Sequence, residues 1–214
     1  MARTYEQEQE RLRVLFAYER ALYLAGADVV AGVDEVGRGP LAGPVSAGAC
    51  VLGPGVEIPY LNDSKRLSEK RREEVAAALR EQAYAWHVAH VPAEVVDIYG
   101  IVGALKRAMH EAVAGLLLRP DVILLDGLPL KLWPQERAIV KGDGKIACIA
   151  AASVLAKVER DAIMRIADQS YPEYGFSRNK GYGTAEHIAA IREFGPTPIH
   201  RHSFCGDFIN SAHK

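Results

Sequence analysis

Four acids stand at or just beyond the ends of apolar runs in this chain: Asp34, Glu35, Asp126 and Asp143. Carboxylates are hard oxygen ligands of the type that Mg²⁺ and similar divalent cations prefer. Two such ions about 3.5–4 Å apart can activate a water and stabilise a leaving oxygen in phosphoryl transfer. No Cys-x-x-Cys pair and no His-Glu-x-x-His accompanies the acids, so zinc has no ligand pattern here. Asp34 and Glu35 close the run Val30-Ala31-Gly32-Val33 and lead into Gly37-Arg38-Gly39-Pro40. Buried carboxylates are costly without a cation beside them, so a strand that carries two of them asks for a reason. The plainer alternative ends the strand at Val33 and leaves both acids solvated in a turn. Successive strand residues point to opposite faces, so the two acids share a site only if the strand ends or bulges there, a distortion that Gly37 permits. Asp126 closes an apolar run of the kind found in central parallel strands, at whose carboxyl ends function gathers. Asp126-Gly127 is equally a common turn pair. Asp143 either joins the cluster or caps the helix that follows it.

Other chemistries find less support. Gly37-x-Gly39-x-x-x-Gly43 has the wrong final spacing for a dinucleotide fingerprint, and its acids precede the glycines. There is no Gly-x-x-x-x-Gly-Lys-Ser/Thr loop, and Ser153 lacks the histidine and acid order of a hydrolase triad. His200-x-His202 reads as a surface pair.

With 214 residues, the chain fits one domain, alone or with a smaller appendage. A net charge of -1 excludes a globally basic nucleic-acid coat but leaves room for a local basic groove. Cys50, Cys148 and Cys205 are far apart and odd in number, which argues against a disulfide framework and suits a reducing, cytoplasmic setting. Cys50 and Cys148 fall in apolar runs and read as core residues. No apolar run approaches the roughly 20 residues of a membrane span, and the acidic, polar start does not resemble a signal peptide.

The elements that would position the acids follow from periodicity. A helix over 5–25 carries Leu12, Leu15, Phe16, Glu19, Leu22 and Tyr23 at helical spacing, with Gly26 as a stop. Strands over 28–36 and 44–52 form an antiparallel pair. Ser68 caps a helix that starts Glu69-Lys70-Arg71-Arg72, a basic cluster that is either a solvated face or a phosphate contact. A third strand runs over 84–91, helical segments with a break near Gly100 over 92–118, and further strands over 121–126 and 138–140. A long alanine-rich helix spans 146–166, with Ser153, Lys157 and Arg160 on one face. Lys157 and Asp161 would make an ordinary surface ion pair. From Tyr171 the composition shifts to Pro, Gly, aromatic and basic residues; 177–184 is a loop, and Thr184 caps a helix through Arg192.

The run Asp34-Glu35-Val36-Gly37-Arg38-Gly39-Pro40-Leu41-Ala42-Gly43-Pro44 resembles the signature of the type 2 ribonucleases H, the bacterial ribonuclease HII family. The resemblance continues through Asn62-Asp63-Ser64-Lys65, Leu125-Asp126-Gly127, Lys141-Gly142-Asp143 and Ala150 to Asp161. It extends to Lys180-Gly181-Tyr182-Gly183-Thr184 and to Thr197-Pro198-Ile199-His200-Arg201-x-Ser203-Phe204. It implies an α/β, ribonuclease H-like fold: a central mixed β-sheet flanked by helices, with a helical C-terminal segment. It implies a packing helix over 1–27, a catalytic domain over 28–170 and a substrate-contacting segment over 171–214.

The family's four metal-binding catalytic carboxylates would fall on Asp34, Glu35, Asp126 and Asp143, holding Mg²⁺ or Mn²⁺, two ions per site. Its Gly37-Arg38-Gly39 turn would lie in the minor groove at the step from a ribonucleotide to the next deoxynucleotide. Tyr182 would stack on that deoxynucleotide's sugar. The 2′-hydroxyl is what lets a protein tell RNA from DNA. Lys65, and with it Lys157 and Arg160, would contact phosphates, which position a duplex without reading its bases. The implied substrates are RNA–DNA hybrids and DNA duplexes containing ribonucleotides, cut 5′ of the ribonucleotide to leave 3′-hydroxyl and 5′-phosphate ends, by a cytoplasmic monomer with no membrane partner. Two departures are visible: position 202 is His where Arg or Lys is usual, and the chain ends soon after Phe208. The 33 residues ahead of Asp34 leave no room for the extra N-terminal domain of the type 3 enzymes.

Overall fold

The computed structural model describes residues 4–209, with side chains to residue 206. Five strands form one mixed sheet: β1 (Val30–Val36), β2 (Val45–Val51), β3 (Ala85–Val91), β4 (Val122–Asp126) and β5 (Glu136–Ile139), in the spatial order β3-β2-β1-β4-β5. β1–β2 and β2–β3 are antiparallel, whereas β1–β4 and β4–β5 are parallel. A mixed sheet flanked by helices is the fold that the resemblance implies.

The period of two along each strand divides the core into two apolar layers. Val30, Cys50 and Leu124 face α5 (Ala147–Ser170); Ala31, Val33, Ala47, Ala49 and Leu125 face α4 (Ala93–Ala114). α5 lies unusually close to the sheet. A Cβ on Gly32 would stand 2.2 Å from the Cys148 carbonyl carbon, and one on Gly48 would stand 2.4 Å from the Ala152 oxygen. These two glycines let helix backbone rest on strand backbone, where any side chain would drive α5 away from the acids at the strand ends.

The N-terminal region breaks where the sequence predicts one helix. α1 (Tyr5–Leu15) and α2 (Ala17–Leu24) are joined at Phe16. The break keeps Leu12, Leu15 and Phe16 buried and swings the buried Glu19 onto the start of α5, where its Oε1 accepts the Cys148 N–H at 2.6 Å. That carboxylate satisfies an amide that the first turn of a helix leaves open. In α3 (Glu69–Gln82), the Ser68 hydroxyl accepts from the Arg71 amide, as the sequence predicts. Gly100 interrupts α4 with a φ of +70°. The predicted loop over 177–184 begins inside a short helix, α6 (Phe176–Asn179), before α7 (Ala185–Phe194) and α8 (His202–Ile209). No helix among the described residues is long and apolar enough to cross a membrane.

A third apolar cluster joins Leu41, Ala42 and Met164 to Tyr174, Phe176, Ala190, Ile191 and Cys205. Within it lie His187 and His200, both fully buried, so the sequence expectation of a surface histidine holds at 202 and fails at 200. Burial, reinforced by the neighbouring His187, pulls the His200 imidazole down to a pKa of about 4. The unfolded chain therefore takes up a proton near pH 6.5 that the folded chain refuses until about pH 4, so stability falls as pH drops through that window. Between pH 6.5 and 5 this contributes a loss of about 1.5 kcal/mol. Unfolding free energies from urea titrations of the parent and of His200→Gln should converge by that amount over this range; parallel curves would show that His200 titrates normally.

Candidate active site

The parity of the strands decides which acids meet. β1 pairs with β2 without a bulge, through Asp34↔Gly48, Glu35↔Ala47 and Val36↔Ser46. Asp34 thus shares the α5 face with Gly32, and Glu35 turns to the α4 face. On the parallel side the last pair is Val33↔Leu125, which sets Asp34 next to Asp126 at the carboxyl end of β4. Asp143 comes from a 3₁₀ turn over Gly142–Gly144, just before α5. The Gly142 N–H donates to Asp126 Oδ1 at 2.6 Å and locks that turn against β4.

Asp34, Asp126 and Asp143 each bring a carboxylate oxygen within 4.8 Å of the others. Glu35 stands outside this trio. Its Oε1 accepts from Arg38 Nη1 at 3.2 Å, and with Asp126 it lines a cavity of about 340 Å³ on the α4 side. Asp126 is the hinge between the two faces, close enough to raise the carboxyl pKa of both Asp34 and Glu35.

Burial holds the Asp34 carboxyl well above the usual carboxylate range, with Glu35 and Asp126 adding to the rise and a Ser153 hydrogen bond opposing it. Ser153 is itself fixed by Ser64 across a 3.0 Å Oγ–Oγ contact. Burial raises Asp143 too, and the neighbouring Asp126 and Asp63 add to it, while Lys65 lowers it. Lys65 Nζ lies 3.6 Å from Asp143 and is 79% exposed, so it balances little of the cluster's charge. Three oxygen donors with so little compensating positive charge fit a hard divalent cation.

The Gly37-Arg38-Gly39 turn is held from behind by two buried arginines. Arg201 donates from Nη2 to the Gly37 carbonyl at 2.7 Å, from Nη1 to Arg38 at 3.0 Å, and from Nε and Nη2 to Gly43. Arg160 reaches the carbonyls of Pro44, Ala42 and Lys180. It is fully buried and therefore no phosphate contact, contrary to the sequence expectation. Lys157 is spent on Asp161 at 2.6 Å, and that pair is largely buried rather than superficial. The Gly181 carbonyl accepts from the amides of Leu41 and Ala42, so the Lys180–Gly183 loop is stitched to the turn's far end. Tyr182, 43% exposed, rides on that loop.

The sequence profile described as Ribonuclease HII matches residues 31–206. The chain belongs to the ribonuclease HII family. Ribonuclease HII of Desulfitobacterium hafniense (strain DSM 10664 / DCB-2) is 48% identical over 198 residues, spanning 92% of this chain and 76% of that one. The crystal structure of ribonuclease H2 from Pyrococcus horikoshii OT3 superposes with a TM-score of 0.74 at 26% identity, covering 87% of this chain and 99% of that one. Bst-RNase HIII in complex with Mn²⁺ superposes at 0.68 over 90% of this chain and 73% of that one, and at 18% identity it shows the fold alone. Family membership makes the chain a ribonuclease, a hydrolase of phosphodiester bonds.

In this family member, the residues that sequence reasoning missed are the supports. Arg201 had no assigned role, and Arg160 had the wrong one. A signal existed for Arg160, which falls four residues after Ala156 and four before Met164 on the buried stripe of α5. Arg201→Lys replaces a rigid fork with one ammonium that cannot span the carbonyls of Gly37, Arg38 and Gly43. It should lower stability by about 2–4 kcal/mol and cut cleavage at temperatures where it stays folded. An unchanged urea midpoint would mean that the turn does not depend on this cradle.

Proposed function

We infer that the chain is a metal-dependent endoribonuclease that hydrolyses the phosphodiester 5′ of a ribonucleotide. Its substrates are RNA–DNA hybrids and single ribonucleotides embedded in duplex DNA, which suits the removal of misincorporated ribonucleotides and RNA primers. The observation that carries this reading is the convergence of Asp34, Asp126 and Asp143 beside the braced Gly37–Gly39 turn. These three acids would hold Mg²⁺ or Mn²⁺, two ions, with Glu35 on the far side of Asp126 completing the set. When bound, such ions supply a nucleophilic water at neutral pH and charge stabilisation at the leaving oxygen.

The chain's own residues orient and exclude. Water's oxygen forms the new bond to phosphorus, the bond to the upstream O3′ breaks, and that oxygen takes up a proton. The products carry 3′-hydroxyl and 5′-phosphate ends. Lys65, exposed at the rim and 3.6 Å from Asp143, suits a phosphate beside the scissile bond. Gly37 is required internally, since a Cβ there would stand 2.2 Å from Arg160 Nε. Gly39 is not: a Cβ there would meet nothing within 4 Å, and its φ is not in the left-handed region. A glycine without an internal reason, beside a side chain as polar as Arg38, favours close approach of a ligand, here the minor groove at the 2′-hydroxyl. Tyr182 offers a ring face to the neighbouring sugar. With its cysteines all free and buried, the enzyme suits the cytoplasm, and we read it as a monomer.

The test is a labelled DNA duplex carrying one ribonucleotide, incubated with Mg²⁺, Mn²⁺ or EDTA and mapped to the nucleotide. The parent should cut just 5′ of the ribonucleotide with either metal and not in EDTA. Asp34→Asn should lose on the order of 10²–10³-fold or more in rate. Because burial disfavours the Asp34 charge, the same variant in EDTA should unfold at an equal or higher temperature. Full activity of Asp34→Asn would remove that acid from the site, and cutting confined to long hybrids would sink the single-ribonucleotide specificity.

A further inference from the structure

His187 and His200 lie beneath the Tyr182 loop, in edge or tilted contact with Phe176. Their hydrogen bonds run in one direction only. The Thr197 backbone N–H donates to His200 Nδ1 at 2.8 Å. A backbone amide cannot accept, so His200 Nδ1 carries no proton. The Thr197 hydroxyl, 2.9 Å from the same nitrogen, can only be a second donor to it. A neutral His200 must therefore carry its proton on Nε2. His200 Nε2 stands 3.0 Å from His187 Nε2, so the latter is the acceptor. Neutral His187 then carries its proton on Nδ1, which lies 2.9 Å from the Tyr182 carbonyl oxygen. That oxygen can only accept, so the two ends of the chain independently demand the same tautomers.

We propose that His187 and His200 are positioning residues for Tyr182, forming a one-way relay of two neutral imidazoles that fixes the Tyr182 carbonyl and thereby the aim of its ring. The loop needs such a support. Lys180 and Gly181 both have left-handed φ, at +53° and +83°, and Tyr182 belongs to no regular element. Its amide is tied to the Asn179 carbonyl at 2.9 Å, and its carbonyl also accepts from the Thr184 amide at 2.8 Å. The imidazole relay ties that carbonyl to the buried third cluster, where both rings are nearly inaccessible. A ring that tests a sugar by packing discriminates only if its backbone is held, because a shift of about 1 Å can forfeit most of a contact's selectivity. Burial lowers the pKa of both imidazoles, in keeping with the neutral forms.

The inference rests on reading Tyr182 as the ring beside the deoxynucleotide that follows a ribonucleotide, and two measurements separate the two ideas. Long-range ¹H–¹⁵N correlation of the imidazoles in the unmodified protein should show the proton on Nε2 of His200 and on Nδ1 of His187. The opposite tautomer at either ring would overturn the relay whatever the substrate. The second measurement is the ratio of kcat/KM on a duplex with one embedded ribonucleotide to that on a long hybrid, for His200→Gln, His200→Phe and Tyr182→Ala. Gln keeps an acceptor and a donor; Phe keeps the ring volume and neither. His200→Phe should lower the ratio about tenfold, toward that of Tyr182→Ala, while His200→Gln stays within about threefold of the parent. A ratio unmoved in His200→Phe but lowered in Tyr182→Ala overturns the relay and leaves the Tyr182 reading standing. Equal losses on both substrates would show a merely structural histidine and also overturn it. A ratio unmoved in Tyr182→Ala itself would remove the reading on which the proposal stands.

Discussion

Two buried guanidiniums hold this molecule's working surface together. Arg160 and Arg201 are fully buried, and each spreads its charge over three backbone carbonyls. Burial depresses both pKa values, Arg201 to about 10, and the neighbouring Arg160 charge adds to the fall at Arg201. An isolated buried cation would be strongly destabilising. The carbonyl arrays offset that cost because the planar fork of arginine matches several fixed acceptors at once. The acceptors belong to the turn after β1 and to the Lys180–Gly183 loop, some 140 residues apart in sequence. The same contacts therefore fold the C-terminal segment against the sheet and bring Tyr182 to the side of the Gly37–Gly39 turn.

Around that brace, the acids are arranged by parity and closeness. Even-numbered positions on β1 point toward α5, so Gly32 and Asp34 share a face: the glycine admits the helix backbone, and the acid meets the helix's Ser153. Parallel pairing adds Asp126, and the turn before α5 adds Asp143. The helix start is pinned in turn by Glu19 from the N-terminal region. Part of this support falls on the carboxylates themselves, through Ser153 and the Glu35 amide on Asp34 and the Gly142 amide on Asp126 Oδ1. The electrostatic consequence is a cluster that resists its own charge in the absence of metal, since burial and like-charge proximity both raise Asp34 and Asp143. Stability is surrendered locally so that an ion has something to gain.

Much of this was legible in the sequence, for identifiable reasons. Strand periodicity and turn residues located β1 to β4 closely, and Ser68 and Thr184 announced their helices by cap chemistry. The candidate site's acids stood out because carboxylates at the ends of apolar runs are chemically conspicuous. The break at Phe16 was not legible, since Leu12, Leu15 and Leu22 keep one helical spacing straight across it. Beyond the break, Glu19 meets the start of α5, a contact between segments well over a hundred residues apart that local spacing does not show. The separation of Asp34 from Glu35 was half legible: the pleat alone predicts opposite faces, but only the unbulged β1–β2 ladder shows that no distortion reunites them.

The sequence by itself determined the elements, the family and the chemical types at the site, because those depend on local spacing and on residue identity. Tertiary structure alone decided what each polar side chain is for. Arg160 looked like a surface cation and proved to be a carbonyl clamp; His200 looked exposed and proved to be buried against His187. Charge and hydrogen-bonding capacity are written in the residue, but their partners come from segments brought together only by burial of the sheet's two faces. Whether a guanidinium meets water, a phosphate or a carbonyl is settled by which backbone atoms the fold leaves within 3 Å of it.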